Sequence, residues 1–289
     1  MRNTGPTRVG FLTDSHLYYW QARAVERLRR ELDIDISIVV SDSCNTGPVN
    51  EFTNPTDLVG LDAVKKGYDT LSRESAWALV MAERTIAKML GDERRLWRRV
   101  RVEDVDCFDD AEHVRCDPRT ENGWTEFSDD IVTHVAKSCD VAVRFGFGLI
   151  RGSILTAPEY GVLSFHPSDI RTYRGMGPPP AFYDDQTTIG STLQRLNETI
   201  DGGRIVAYDE VHIGDCYTLW DVFDRIVRLQ IRLLTDGIET LRDSTKEPKT
   251  VPDEELGEYH PLSRRRDLDF SGKILLKNLS GRARRRFRR

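Results

Sequence analysis

The chain has 289 residues, 39% hydrophobic and 31% charged, which is enough to bury a full core and unlike a disordered composition. No apolar run approaches the roughly 18 residues that span a bilayer; the best lie at 36–40 and 141–150, and Arg144 interrupts the second. The net charge of -5 hides an asymmetry: residues 261–289 hold 11 Arg and Lys against 2 Asp and Glu, leaving 31 against 45 for the rest.

In chain order, Met1, Arg2 and Asn3 lead into a strand with no apolar leader, so a cytoplasmic protein without a transmembrane segment is expected. Residues 8–14 read as a buried strand, 18–32 as a helix and 34–40 as a second strand, closing a β-α-β unit. Residues 41–57 carry Gly, Pro and polar side chains and read as a loop; about 70–90 reads as a helix and 100–105 as a short strand. The acidic stretch 106–123 reads as irregular. A helix over 127–138, started by Ser128, is followed by strands at 141–145 and 161–165. Strands alternating with helices predict an α/β, Rossmann-like fold with a mostly parallel sheet flanked by helices. A strand at 205–211 precedes a long amphipathic helix over 219–242. Residues 1–242 are expected to form the main domain, and 243–289 a linker and short basic C-terminal extension, too short for a sizeable core of its own. The five cysteines are scattered and odd in number, which predicts reduced thiols and no metal site.

The glycines at 146, 148 and 152 follow a strand, but their spacing departs from that of a dinucleotide loop, and the first βα turn, Asp14-Ser15-His16, has no glycine. Small residues here can still let a flat ligand approach the backbone. The chemistry concentrates further on. Residue 166 is a histidine delivered by a strand into a Pro-Ser turn, at the carboxyl end of the sheet where open α/β sheets bind ligands. Asp201 stands in a glycine turn before another strand. If the two strand ends are neighbours, the carboxylate orients the imidazole and favours its protonated form.

His166-Pro167-Ser168, Tyr173-Arg174-Gly175, Thr188-Ile189-Gly190-Ser191-Thr192-Leu193 and Asp201-Gly202-Gly203-Arg204-Ile205, in this order and spacing, resemble the folate-dependent formyltransferases. That family includes glycinamide ribonucleotide transformylase, methionyl-tRNA formyltransferase and the sugar N-formyltransferases. The resemblance implies formyl transfer from 10-formyltetrahydrofolate, without a metal, to an amine. It implies that His166 and Asp201 assist proton movement and stabilise the tetrahedral intermediate. Phe145, Gly146, Phe147, Gly148 and Leu149 are then expected along the folate pocket, and Ser168, Arg174 and Gly175 at the acceptor, with Arg174 either binding an anionic acceptor or bracing its loop.

One position departs from the family. Its usual catalytic Asn, two residues before the histidine, is Ser164 here, and alternation along a strand puts Ser164 and His166 on one side. A hydroxyl is shorter than an amide. Either Ser164 reaches the oxyanion through a water, or the substrate or another group donates instead, or activity is reduced or lost. A nucleotide-linked amino sugar is the expected acceptor. The Arg-rich C-terminus points instead to RNA, as in a methionyl-tRNA formyltransferase. A hydrolase releasing formate, and a folate- or nucleotide-binding protein without catalysis, complete the alternatives.

Overall fold

The computed structural model describes residues 5–43, 72 and 74–287. In chain order the main elements are β1 (Arg8–Thr13), α1 (Tyr19–Glu31), β2 (Asp35–Asp42), α2 (Trp77–Met89), β3 (Glu112–Cys116), α3 (Asp129–Ser138) and β4 (Val141–Arg144). They continue as β5 (Val162–His166), α4 (Pro178–Tyr183), β6 (Thr188–Arg195), β7 (Arg204–His212), α5 (Leu219–Arg242) and α6 (Leu268–Phe287). The seven strands form one sheet in the order β7-β6-β5-β4-β1-β2-β3. The five from β5 to β3 run parallel, and β6 and β7 add an antiparallel edge.

The parallel strands are apolar on both sides because both faces are covered. On one face Val9, Phe11, Val143 and Leu163 pack with Ala24, Val25 and Leu28 of α1 and with Leu234 and Ile238 of α5. On the other, Leu12, Ile38, Val40 and Ala142 meet Ile131 and Val135 of α3. No described helix is long and apolar enough to cross a membrane.

The expected β-α-β start and the helix over 219–242 appear with nearly the predicted limits. Most of the loop expected at 41–57, and the beginning of the helix expected from residue 70, lie outside the described residues. Two readings need correction. The strand expected at 100–105 is only Arg99–Arg101, paired with His16–Tyr18, before the chain turns into a 3-10 segment at Val102. The stretch 106–123, read as irregular, contains the edge strand β3 and half of a hairpin. An edge strand needs little apolar sequence: in Glu112–Cys116 only Cys116 is buried and Val114 partly so.

Residues after 242 fold onto the body. Lys249 exchanges two backbone hydrogen bonds of 2.8 Å with Ile205, Glu258–His260 pairs with Tyr173–Gly175, and α6 packs on α2 and α4. Arg285 of α6 and Arg94 both meet Asp221, whose carboxylate also accepts the Thr218 N–H at the start of α5. Burial raises the Asp221 carboxyl, but the hydrogen bonds and charges of the two arginines outweigh it and hold it at about 2. A depressed carboxyl stabilises the fold above its unfolded value and loses that stabilisation as pH falls through the folded one. Asp221→Asn is therefore expected to cost roughly 2–3 kcal/mol at neutral pH and to flatten the acid loss of stability between about pH 4 and 2, read by urea unfolding across pH.

Candidate active site

His166 is the last residue of β5, between β4 and β6, and so lies at the carboxyl end of the parallel strands. Asp201, at φ +49°, occupies the turn between β6 and β7. The turn brings its Oδ1 to 3.1 Å from His166 Nδ1, with the imidazole only 3% exposed. Nε2 of the same ring lies 2.8 Å from the Tyr173 carbonyl. Both ring nitrogens thus face oxygens. Asp201 also accepts from the Gly175 N–H at 2.7 Å and the Gln194 amide at 3.2 Å. Burial works against the charged form of Asp201. The His166 hydrogen bond and charge, with the Gly175 and Gln194 donors, overcome it and hold the carboxyl below the ordinary aspartate value. Gly175 has φ +85°, and a Cβ there would stand 2.5 Å from the His260 carbonyl, so the Asp201 anchor requires glycine.

A cavity of about 300 Å³ opens beside the strand end that carries His166; Ser164, Phe165 and Pro167 line it, whereas His166 and Asp201 stand outside its wall. Aromatic rings dominate its walls: Trp20 stands edge-on to Phe145 and Phe165 at 6.0 and 5.7 Å, and Trp97 edge-on to Phe223 at 5.7 Å. Ser164 and Arg144 complete one wall. They are register partners on β5 and β4, and the guanidinium donates to Ser164 Oγ from Nη2 at 2.7 Å and from Nε at 3.1 Å. Its Nη1 donates to the Gly148 carbonyl. Burial pulls the Arg144 guanidinium below its usual range, against the charges of Asp201 and Asp14.

Of the glycine-rich segment, Phe145, Gly146 and Gly148 line the cavity. Gly146 is glycine for a packing reason, because a Cβ would sit 2.1 Å from the Asp14 backbone nitrogen; that Cβ would fill space against β1, not against a ligand. Phe147 turns the other way, its ring against Phe127 at 4.8 Å and its N–H on the Asp14 carboxylate at 2.9 Å. Leu149 pairs with Trp124 and is 38% exposed, outside the cavity wall. Ser168 is fully buried, and its carbonyl accepts from Thr192 Oγ1 at 3.0 Å. Arg174 donates to the carbonyls of Gly257 at 2.9 Å and Ile200 at 3.5 Å, which braces its loop.

Sequence reasoning missed Trp20, Trp97 and Gln194 as site residues, because lone aromatic and amide side chains carry no motif. It also passed over Arg144, although the signal was there: a cation interrupting a strand otherwise buried from Val141 to Val143. Among the described residues no cluster of three or more His, Cys, Asp and Glu side chains could hold a metal ion.

The sequence profile of the family described as Formyl transferase matches residues 102–238. Methionyl-tRNA formyltransferase of Cereibacter sphaeroides is 32% identical over 118 residues, 39% of this chain and 38% of that one. The chain thus spans less than half the length of such curated relatives. Among solved structures, a sugar N-formyltransferase from a Shewanella species covers 94% of this chain and 88% of its own at 15% identity and a TM-score of 0.54. The N-formyltransferase of Helicobacter canadensis, solved with folinic acid and dTDP-3-aminofucose, covers 93% and 79% at 10% identity and a TM-score of 0.52. The chain thus matches the formyl transferase profile over residues 102–238 and shares the fold of the solved N-formyltransferases.

Proposed function

We propose that the protein transfers a formyl group from 10-formyltetrahydrofolate to an amine, with a nucleotide-linked amino sugar as acceptor. The observation that carries this reading is the His166–Asp201 pair, 3.1 Å apart at the end of the sheet, with the chain neighbours of His166, Phe165 and Pro167, in the wall of the aromatic cavity. Trp20, Phe145 and Phe165 offer faces and edges to a flat heteroaromatic ring. The indole N–H groups of Trp20 and Trp97 are buried with no acceptor among the described residues, which fits a ligand bearing carbonyl or ring-nitrogen acceptors.

The donor supplies an activated formyl group. The chain's residues orient it and move the proton. Asp201, fixed by Gly175 and Gln194, sets the imidazole plane, and His166 exchanges its Tyr173 carbonyl contact for one to the reacting groups when it handles a proton. A small acceptor is favoured over RNA because the basic C-terminus is engaged by the body. Arg282 meets Glu83 and Asp92, Arg285 meets Asp221, and Arg264 and Arg265 lie over the rings of Phe270 and Trp77.

The test is release of tetrahydrofolate from 10-formyltetrahydrofolate with water alone, amino-sugar nucleotides, glycinamide ribonucleotide and initiator methionyl-tRNA. Turnover dependent on an amino-sugar nucleotide is the expected result. Turnover in water alone means a hydrolase, and folate binding without turnover in any mixture means a binding protein; either outcome overturns the transferase reading.

A further inference from the structure

Arg144 stands inside a parallel sheet whose neighbouring residues Val141, Ala142 and Val143 are fully buried. A guanidinium in that position has lost hydration that only an anion or a good set of acceptors restores. Among the described residues no carboxylate lies within ion-pair distance of it, and its hydrogen bonds go to two neutral oxygens, Ser164 Oγ and the Gly148 carbonyl. Arginine has five N–H donors in one plane. Three are used, so two remain, on a side chain that forms part of the cavity wall. Ser164 is committed as an acceptor from Arg144, and its own hydroxyl finds only the Phe165 carbonyl at 3.5 Å. The hydroxyl is thus poorly placed to donate into the cavity, while the cation it orients has donors to spare.

We propose that Arg144 is the catalytic oxyanion donor of this site, filling the role that the family resemblance assigns to position 164, with Ser164 Oγ fixing the plane of the guanidinium. The proposal rests on the formyl-transfer reading. The acceptor nitrogen's lone pair forms a bond to the formyl carbon as the carbonyl π pair moves onto oxygen, and the two spare N–H groups of Arg144 hold that oxyanion. The pair then re-forms the carbonyl as the bond from carbon to N10 of the folate breaks. Its electrons stay on N10, which gains a proton as the acceptor nitrogen loses one through His166. Nothing is oxidised or reduced. A fixed cation aimed at the developing charge works without reorganisation, which is the source of most catalytic electrostatic stabilisation.

The experiment compares wild type, Arg144→Gln, Arg144→Ala and Arg144→Ala with Ser164→Asn. Each is read by turnover of 10-formyltetrahydrofolate, by the Kd for folinic acid from quenching of tryptophan fluorescence, and by melting temperature. Arg144→Gln is expected to lower kcat by about 10²–10³-fold while folinic acid affinity stays within about fivefold. Adding Ser164→Asn to Arg144→Ala, which restores the amide donor of the family, is expected to recover at least about tenfold of the lost kcat. Turnover of Arg144→Gln within about threefold of wild type overturns the proposal, as does affinity falling in step with kcat, or no recovery by Ser164→Asn in a variant that still folds and binds. A wild-type chain without turnover overturns the formyl-transfer reading, and the Arg144 role with it. Wild-type turnover with an unimpaired Arg144→Gln overturns the Arg144 role alone.

Discussion

His166→Ala is expected to lower kcat for formyl transfer by about 10²–10⁴-fold, with folinic acid affinity little changed and the melting temperature reduced because Asp201 loses its partner. The ring is buried and contacts Asp201 and the Tyr173 carbonyl, so kcat is read at a temperature where the variant is still folded. Asp201→Asn should cost less in kcat, because an amide can still bond the ring and keep its orientation. The pH profile separates the two residues. The Asp201 carboxyl is held below its ordinary value, so its charge, and the orientation it gives His166, are present above about pH 4 and lost as pH falls further. An acid limb from this group is expected in wild type and absent in Asp201→Asn, measured as kcat against pH at saturating donor. Retention of wild-type kcat by His166→Ala would remove the proton-handling role from this residue altogether.

The sequence made the positions of His166 and Asp201 legible because their contact follows from topology. A histidine ending one strand and an aspartate in the turn before another meet once β5, β6 and β7 are adjacent. The long α5 was equally legible, since an apolar stripe over 24 residues has few alternatives. The edge strand β3 was not, because an exposed strand carries little apolar alternation, and neither were Phe147 and Leu149, whose directions depend on local backbone geometry. Phe147 has φ +63°, which turns its ring from the cavity towards Phe127. Arg144 shows the opposite failure. A charge inside a buried strand breaks the local rule, and such breaks concentrate where function demands them.

Deleting residues 243–289 is expected to abolish cooperative unfolding, although the stretch looks like an appendage in the sequence. Phe270 and Ile274 of α6 are 1% and 0% exposed and share a cluster with Trp77, Phe182, Leu219 and Ile226. Phe270 stacks on Tyr183 at 5.0 Å. Asn278, fully buried, accepts the Leu219 N–H that opens α5 at 2.8 Å and donates to Glu83 at 3.0 Å. Glu83 is itself buried, and Arg282 is the cation in contact with it. Removing α6 would strip this carboxylate of its Asn278 and Arg282 partners and expose the apolar side chains that Phe270 and Ile274 cover. Two milder variants test the same argument in a folded chain: Phe270→Ala should lose about 3–5 kcal/mol and Asn278→Ala about 1–3 kcal/mol in urea unfolding. A truncated chain that melts cooperatively with wild-type stability would show the extension to be dispensable. The consequence reaches the site, because Glu258–His260 pairs with Tyr173–Gly175, the segment whose Gly175 N–H anchors Asp201 and whose Tyr173 carbonyl caps His166. The basic C-terminus therefore acts first on its own acidic body: Arg282 and Arg285 close a polar network with Glu83, Asp92 and Asp221, while Glu258–His260 pairs with the segment that touches Asp201 and His166.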